Sequence, residues 1–159
     1  MAGGFAFLRA PEAPCTLAQR VSAGYFSTKG RQKTIHREFQ PKLWAYITGI
    51  CKKIGIYVHS VGGTEDHLHL LIQLPATLAL ANAVLAIKSN SSRWAHDAGH
   101  ELAWQQGYGA FSVSASIVPV VLRYIRNQEA HHKKIGFDAE FLALLRKHGI
   151  AFDTKYVLG

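Results

Sequence analysis

The chain has 159 residues, enough to bury one core but short for two. Hydrophobic residues at 48% and charged residues at 18% exclude extensive disorder, and no apolar run approaches the roughly 18 to 20 residues that span a bilayer. A net charge of +8 favours polyanionic partners, and the two cysteines, Cys15 and Cys51, have no CxxC spacing that would suggest a disulfide framework or a thiolate zinc site.

Residues 1–19, with Gly3-Gly4, Pro11 and Pro14, have no clean periodicity and are expected to form a loosely ordered arm, leaving 20–159 as one domain. They carry no charged-then-apolar leader pattern, so a cytoplasmic protein is expected. The positive charge is concentrated next: Arg20, Lys29, Arg31, Lys33, Arg37, Lys42, Lys52 and Lys53 face only Glu38 before residue 54. A first strand is expected over 21–28, followed by the basic loop Lys29-Gly30-Arg31-Gln32-Lys33.

Phe39, Leu43, Tyr46, Ile47 and Ile50 recur at three- and four-residue steps and predict a helix over 38–53, with Pro41 in its first turn and Gly55 as its stop. Residues 56–61 and 66–74 read as two strands joined by the turn Gly62-Gly63-Thr64-Glu65, with Pro75 ending the second. A helix over 78–96, a short strand over 110–114, a helix over 116–134 with Ser116 as N-cap and Pro119 in its first turn, and a last helix over 138–148 complete the chain. The order strand, helix, strand, strand, helix, strand predicts an α+β fold: a ferredoxin-like (RRM-like) antiparallel sheet with packed helices and further helices appended.

The strand over 66–74 holds the most informative stretch, Asp66-His67-Leu68-His69-Leu70-Leu71. Side chains alternate faces along a strand, so His67 and His69 point one way and Leu68, Leu70 and Ile72 the other, a two-imidazole platform backed by core. Two imidazoles alone are more often hydrogen-bonded surface residues, and a metal site needs a third ligand. The helix over 116–134 offers one: Tyr124 and Gln128 lie at i and i+4, one turn apart on the same face. Taken alone, Tyr124 reads as an amphipathic packing residue.

His67-Leu68-His69 in a hairpin strand and Tyr124-x-x-x-Gln128 on a later helix together resemble the single-tyrosine HUH transposases of bacterial insertion sequences and their REP-associated relatives. The likeness extends to Phe26-Ser27-Thr28-Lys29-Gly30-Arg31, to Gly62-Gly63-Thr64-Glu65-Asp66, and to the stretch from Trp104 to Val113, and it runs from about residue 20 to 156. Ala23-Gly24 departs from it, standing where relatives carry larger strand residues, which bears on the length of the first strand.

The resemblance implies a nucleoid-associated enzyme that cleaves and rejoins single-stranded DNA, with a hairpin at element ends as substrate. It makes Tyr124 the catalytic nucleophile on its appended helix and His67, His69 and Gln128 the ligands of Mg²⁺ or Mn²⁺. It also implies a homodimer in which the tyrosine helix of one subunit completes the histidine platform of the other. The chemistry is consistent: tyrosine, with an ordinary pKa near 10, is a poor nucleophile at neutral pH and needs a cation to offset phosphate charge. Its attack would leave a 5′-phosphotyrosine whose bond energy is kept for rejoining.

Expected DNA contacts are Lys29, Arg31, Lys33, Lys88, Arg93, Arg123, Arg126 and Lys133, although a solvated helix face explains Lys88 and Arg93 equally well. His59, in the phase of Tyr57 and Val61, is read as packing, as are Tyr108 and the three tryptophans, Trp44, Trp94 and Trp104. The alternative is a non-catalytic single-stranded nucleic-acid binder, because a basic ferredoxin-like sheet with exposed aromatics is also an RNA-recognition platform.

Overall fold

The structure is a computed structural model that describes residues 20–126 and, beyond them, residues 142, 143, 146, 147 and 149. The expected arm, and all but a few positions of the expected last helix, lie outside the described residues. Within them the elements run β1 (Arg20–Ser27), a 3-10 turn (Lys29–Arg31), α1 (Gln40–Lys53), β2 (Tyr57–Gly63), β3 (His67–Leu74), α2 (Leu80–Asp97), β4 (Gly109–Ser112) and α3 (Val118–Arg126). The four strands form one antiparallel sheet in the order β2-β3-β1-β4. This is the expected ferredoxin-like α+β sheet, with α3 added after the last strand.

The apolar stripes decide which face each helix covers. Leu43, Ile47 and Cys51 of α1 and Ala83, Ile87 and Ala95 of α2 pack on Phe26 of β1 and on Leu68, Leu70, Ile72 and Leu74 of β3, a single buried cluster. Full burial of a leucine, isoleucine or phenylalanine is worth about 1.5–3 kcal/mol each, so this face carries most of the stability. The Cys51 thiol sits at its bottom, and burial pushes its pKa up to about 11, so it is an inert packing group. α1 ends where expected, at Gly55, whose φ of 78° is the left-handed conformation that glycine adopts without a Cβ clash.

The opposite face is covered by α3. Val121 and Ile125 pack there on Ala23, Leu71 and Val113, a smaller cluster. Small residues in β1 do not shorten it: the strand runs unbroken through Ala23 and Gly24, where an added Cβ would meet only Leu70 Cβ at 4.0 Å.

The β2–β3 hairpin departs from its expected phase. The register shifts between Val58 and Ser60, so His59 is the extra residue of a β-bulge, which reverses which face each later residue of β2 points to. Val61 consequently packs against the large cluster, while Tyr57 and His59 stay together on the other side, ring to ring at 4.9 Å. His59 Nε2 lies 3.1 Å from Gln73 Oε1, which makes it a hydrogen-bonded structural residue of the bulge.

Candidate active site at the histidine face

Alternation along β3 does what the sequence requires: Leu68 and Leu70 face the large core, and His67 and His69 face α3. The two imidazoles stand with centroids 5.2 Å apart and planes at 86°. They are not an open platform, since each is only 2% exposed.

One imidazole is held by a small hydrogen-bonded cluster. His67 Nδ1 is 2.6 Å from Asp66 Oδ1 and 2.8 Å from Thr64 Oγ1, and Thr64 Oγ1 donates to Asp66 Oδ1 at 2.8 Å. A carboxylate only accepts, so His67 must donate from Nδ1, which leaves the lone pair of the neutral ring on Nε2. The bond from His67 holds the Asp66 carboxyl well below the usual carboxylate range, against the opposing effect of burial, with Thr64 and Arg31 adding to the stabilisation. Asp66 is fixed in turn by the loop after β1: Thr28 N donates to its carbonyl at 2.9 Å, and Arg31 Nε lies 3.6 Å from its Oδ2. Arg31 has a left-handed φ of 53°, a strained conformation for a residue with a Cβ, maintained where its guanidinium meets this carboxylate.

Tyr124 completes the face. Its ring stands edge-on to His69 of the same chain, with centroids 5.8 Å apart and planes at 89°. Gly62 allows this approach. It is paired with His69 across the hairpin, and a Cβ there would come within 3.1 Å of both the Ile125 side chain and the Ile125 carbonyl oxygen. The bulge at His59 turns Gly62 toward α3, so one irregularity in β2 seats the helix that bears Tyr124.

Two contributors were not assigned by sequence reasoning. Tyr25, paired with His69 across β1 and β3, places its ring 5.0 Å from His69 and 5.7 Å from His67. Its alternation against Phe26 was legible in the sequence, but its opposition to His69 depends on strand register. The other is the Thr64-Asp66 clamp, visible only as part of a turn. The hydroxyls of Tyr25 and Tyr124 and the Nε2 atoms of both histidines are all shielded from solvent.

These donors suit a divalent cation. Two shielded imidazoles, one with its tautomer fixed by a carboxylate, have the donor chemistry of a histidine pair that could bind such an ion. Among the described residues no group of three or more His, Cys, Asp or Glu could hold a metal ion, and Gln128, the expected third ligand, lies outside them.

The expected DNA-contact residues fall into separate groups. Lys29 and Lys33 are exposed on the loop beside Asp66, where Arg31 is engaged, and Arg123 and Arg126 are exposed on α3 beside Tyr124. Arg93 is exposed on α2, across the sheet from the histidines, with Nη2 2.9 Å from Asn90 Oδ1. Lys88 turns inward: its ammonium donates to the carbonyls of Gln105 and Gly107 and lies 5.1 Å from the centre of the Phe26 ring. Burial pushes its pKa down to about 8. Lys133 lies outside the described residues. Tyr108 and the three tryptophans pack against the large cluster as expected, and the Trp104 indole donates to Ser91 Oγ at 2.9 Å.

Residues 25–128 match the family model described as Transposase IS200 like. The chain belongs to the IS200-like transposase family. The fold of this transposase is similar to that of a candidate transposase from Deinococcus radiodurans R1, with a TM-score of 0.58 and 20% identity over 75% of this chain and 98% of that one. It is also similar to a REP-associated tyrosine transposase bound to a REP hairpin, with a TM-score of 0.58 and 14% identity over 73% of this chain and 70% of that one. At these identities the likeness is one of fold. No curated protein matches the chain. Among the described residues no helix is long and apolar enough to cross a membrane.

Proposed function

We propose that this IS200-like transposase cleaves and rejoins single-stranded DNA, with Tyr124 as nucleophile and His67, His69 and Gln128 as the residues that would hold Mg²⁺ or Mn²⁺. The observation that carries the reading is the edge-on contact of Tyr124 with His69, a would-be nucleophile and a would-be metal ligand brought together from residues far apart in sequence. When bound, the cation supplies positive charge to the scissile phosphate, which lowers the cost of attack by a weak nucleophile.

The chain's own residues do the rest. Asp66 and Thr64 orient His67, and Tyr25 packs against both imidazoles, so the pair is preorganised. Tyr124 Oη attacks phosphorus, and the bond from phosphorus to the 3′ oxygen breaks. The products are a 5′-phosphotyrosine and a 3′-hydroxyl, the proton lost by the tyrosine being balanced by the one that oxygen gains. Attack by another 3′-hydroxyl reverses the step and joins strands without ATP. Lys29, Lys33, Arg123 and Arg126, with Lys133, contact phosphates of a DNA hairpin at element ends and hold the strand in register.

Because Tyr124 meets His69 of its own chain, attack within one subunit is the form this geometry favours. A homodimer would then bring two complete sites together rather than completing either. The test is Tyr124→Phe: denaturing gels of the variant with a labelled single-stranded hairpin oligonucleotide are expected to lose the covalent protein–DNA band while binding persists. Tyr25→Phe is expected to keep the band. Adducts that survive Tyr124→Phe overturn the assignment.

A further inference from the structure

Four aromatic rings form a continuous stack on the α1/α2 side of the sheet: Tyr46 on Trp94 at 4.3 Å, Trp94 on Phe39 at 5.5 Å, and Phe39 on His100 at 3.8 Å, with interplanar angles of 9°, 14° and 24°. The stack ends in an open cleft of about 590 Å³, whose lining includes Lys29, Gln32, Thr34, His100 and Glu101. That volume is within the range of small-ligand sites. His100 is the last ring. One of its faces is covered by Phe39, its backbone N–H is tied to the Ala95 carbonyl at 2.8 Å, and it lines the cleft.

The other lining groups include an ammonium at Lys29, an amide at Gln32 and an exposed carboxylate at Glu101, donors and acceptors that can meet the edge of a base. Thr34 also contributes to the lining, and its hydroxyl oxygen, shielded from solvent, has no hydrogen-bond partner among the described residues. The cleft is joined to the histidine face by a single turn. Lys29 lines the cleft, and its N–H donates to the Ala103 carbonyl at 2.8 Å, while Arg31 on the same 3-10 turn reaches Asp66. Lys29 and Arg31 are two residues of backbone apart, at most about 7 Å.

We propose that this cleft is a nucleobase subsite. It takes one unpaired base of the DNA strand whose phosphate lies at the histidines, stacks it on His100, accepts its exocyclic amino group at Glu101, and meets its phosphate with Lys29. A carboxylate only accepts hydrogen bonds, so adenine, cytosine or guanine is favoured over thymine, which has no amino group. The inference rests on the proposed single-strand chemistry and adds to it a specificity determinant at the other end of the Lys29–Arg31 turn.

The test uses the full chain carrying Tyr124→Phe, so that binding is read without adducts, and a fluorescent single-stranded oligonucleotide of mixed sequence in which each position in turn is made abasic. One position is expected to lose about tenfold in affinity when abasic, the size of one base–aromatic stack. His100→Ala is expected to lose the same factor on the intact oligonucleotide and nothing further on that abasic one. Glu101→Gln, on an exposed side chain that the fold does not need, is expected to erase the preference for an amino-bearing base over thymine there. Binding of every oligonucleotide by both variants as tightly as by the parent overturns the subsite and leaves the proposed function standing. Failure of the parent to bind any single strand overturns both.

Discussion

The two faces of the sheet are built on different scales. On one, α1 and α2 press leucines, isoleucines and phenylalanines onto β1 and β3 in one broad cluster; on the other, Val121 and Ile125 of α3 form with Ala23, Leu71 and Val113 a smaller buried cluster, with partly buried residues such as Val21, Phe111 and Leu122 around it, beside two buried histidines and two tyrosines. Burial energy scales with apolar area, so the first face fixes the fold and the second is the cheaper one to open. The candidate site residues Tyr124, His67 and His69 sit on the second face with their hydroxyl and Nε2 atoms shielded from solvent, so under the proposed function α3 is the element whose displacement would expose them. The broad core and the candidate site are thus separated by the thickness of one strand.

Substitutions on opposite sides of β3 test that separation most directly. Ile72→Val, on the broad face, is expected to destabilise the chain by about 1.5 kcal/mol in urea unfolding, whereas the same change at Ile125 under α3 is expected to cost only about 0.5 kcal/mol. Comparable losses from the two would show that the faces are not unequal. Gly62→Val probes the seat of α3. The new side chain meets the Ile125 side chain and carbonyl, and displacing Tyr124 by about 1 Å is expected to slow adduct formation about a hundredfold while circular dichroism stays that of the parent.

Asp66→Asn leaves the fold but allows an amide N–H to face His67 Nδ1, which favours the wrong tautomer. Affinity for Mn²⁺, read by calorimetry, is expected to fall about 10- to 100-fold. The smallest effect is expected on the broad face itself, at Lys88. Its folded pKa of about 8 lies below the usual value of 10.5, so protons bind the unfolded chain more tightly, and this group's contribution to stability rises as pH increases from about 8 to 10.5. Screening of a half-exposed group limits that gain to about 1 kcal/mol. Lys88→Met should flatten the corresponding rise in Tm across that window, and an unchanged slope would contradict the inward placement.

Much of this was legible because it is local. The i+2 alternation of β3 put His67 and His69 together and set Leu68 and Leu70 against them before any tertiary contact was known. The three- and four-residue spacing of Leu43 and Ile47, the stop at Gly55 and the order of elements along the chain followed from the same short-range rules. The bulge at His59 escaped them, since an extra residue in one strand is defined only against its partner, and with it went the phase of Val61 and the reason for Gly62. Lys88 escaped for a similar reason: a long cationic side chain reads as surface until the carbonyls of Gln105 and Gly107 are seen around it.

The sequence by itself determined the elements, the faces of each strand and the residue types from which a metal-assisted nucleophile could be assembled, because dihedral preference and side-chain periodicity act over a few residues. The tertiary structure alone decided that Tyr124 meets His69 in its own chain, that Tyr25 joins them, and that Asp66 is locked to the loop after β1. Those are contacts between segments tens of residues apart. They are chosen by strand register and by which helix finds room on which face, and no window of the sequence contains that information.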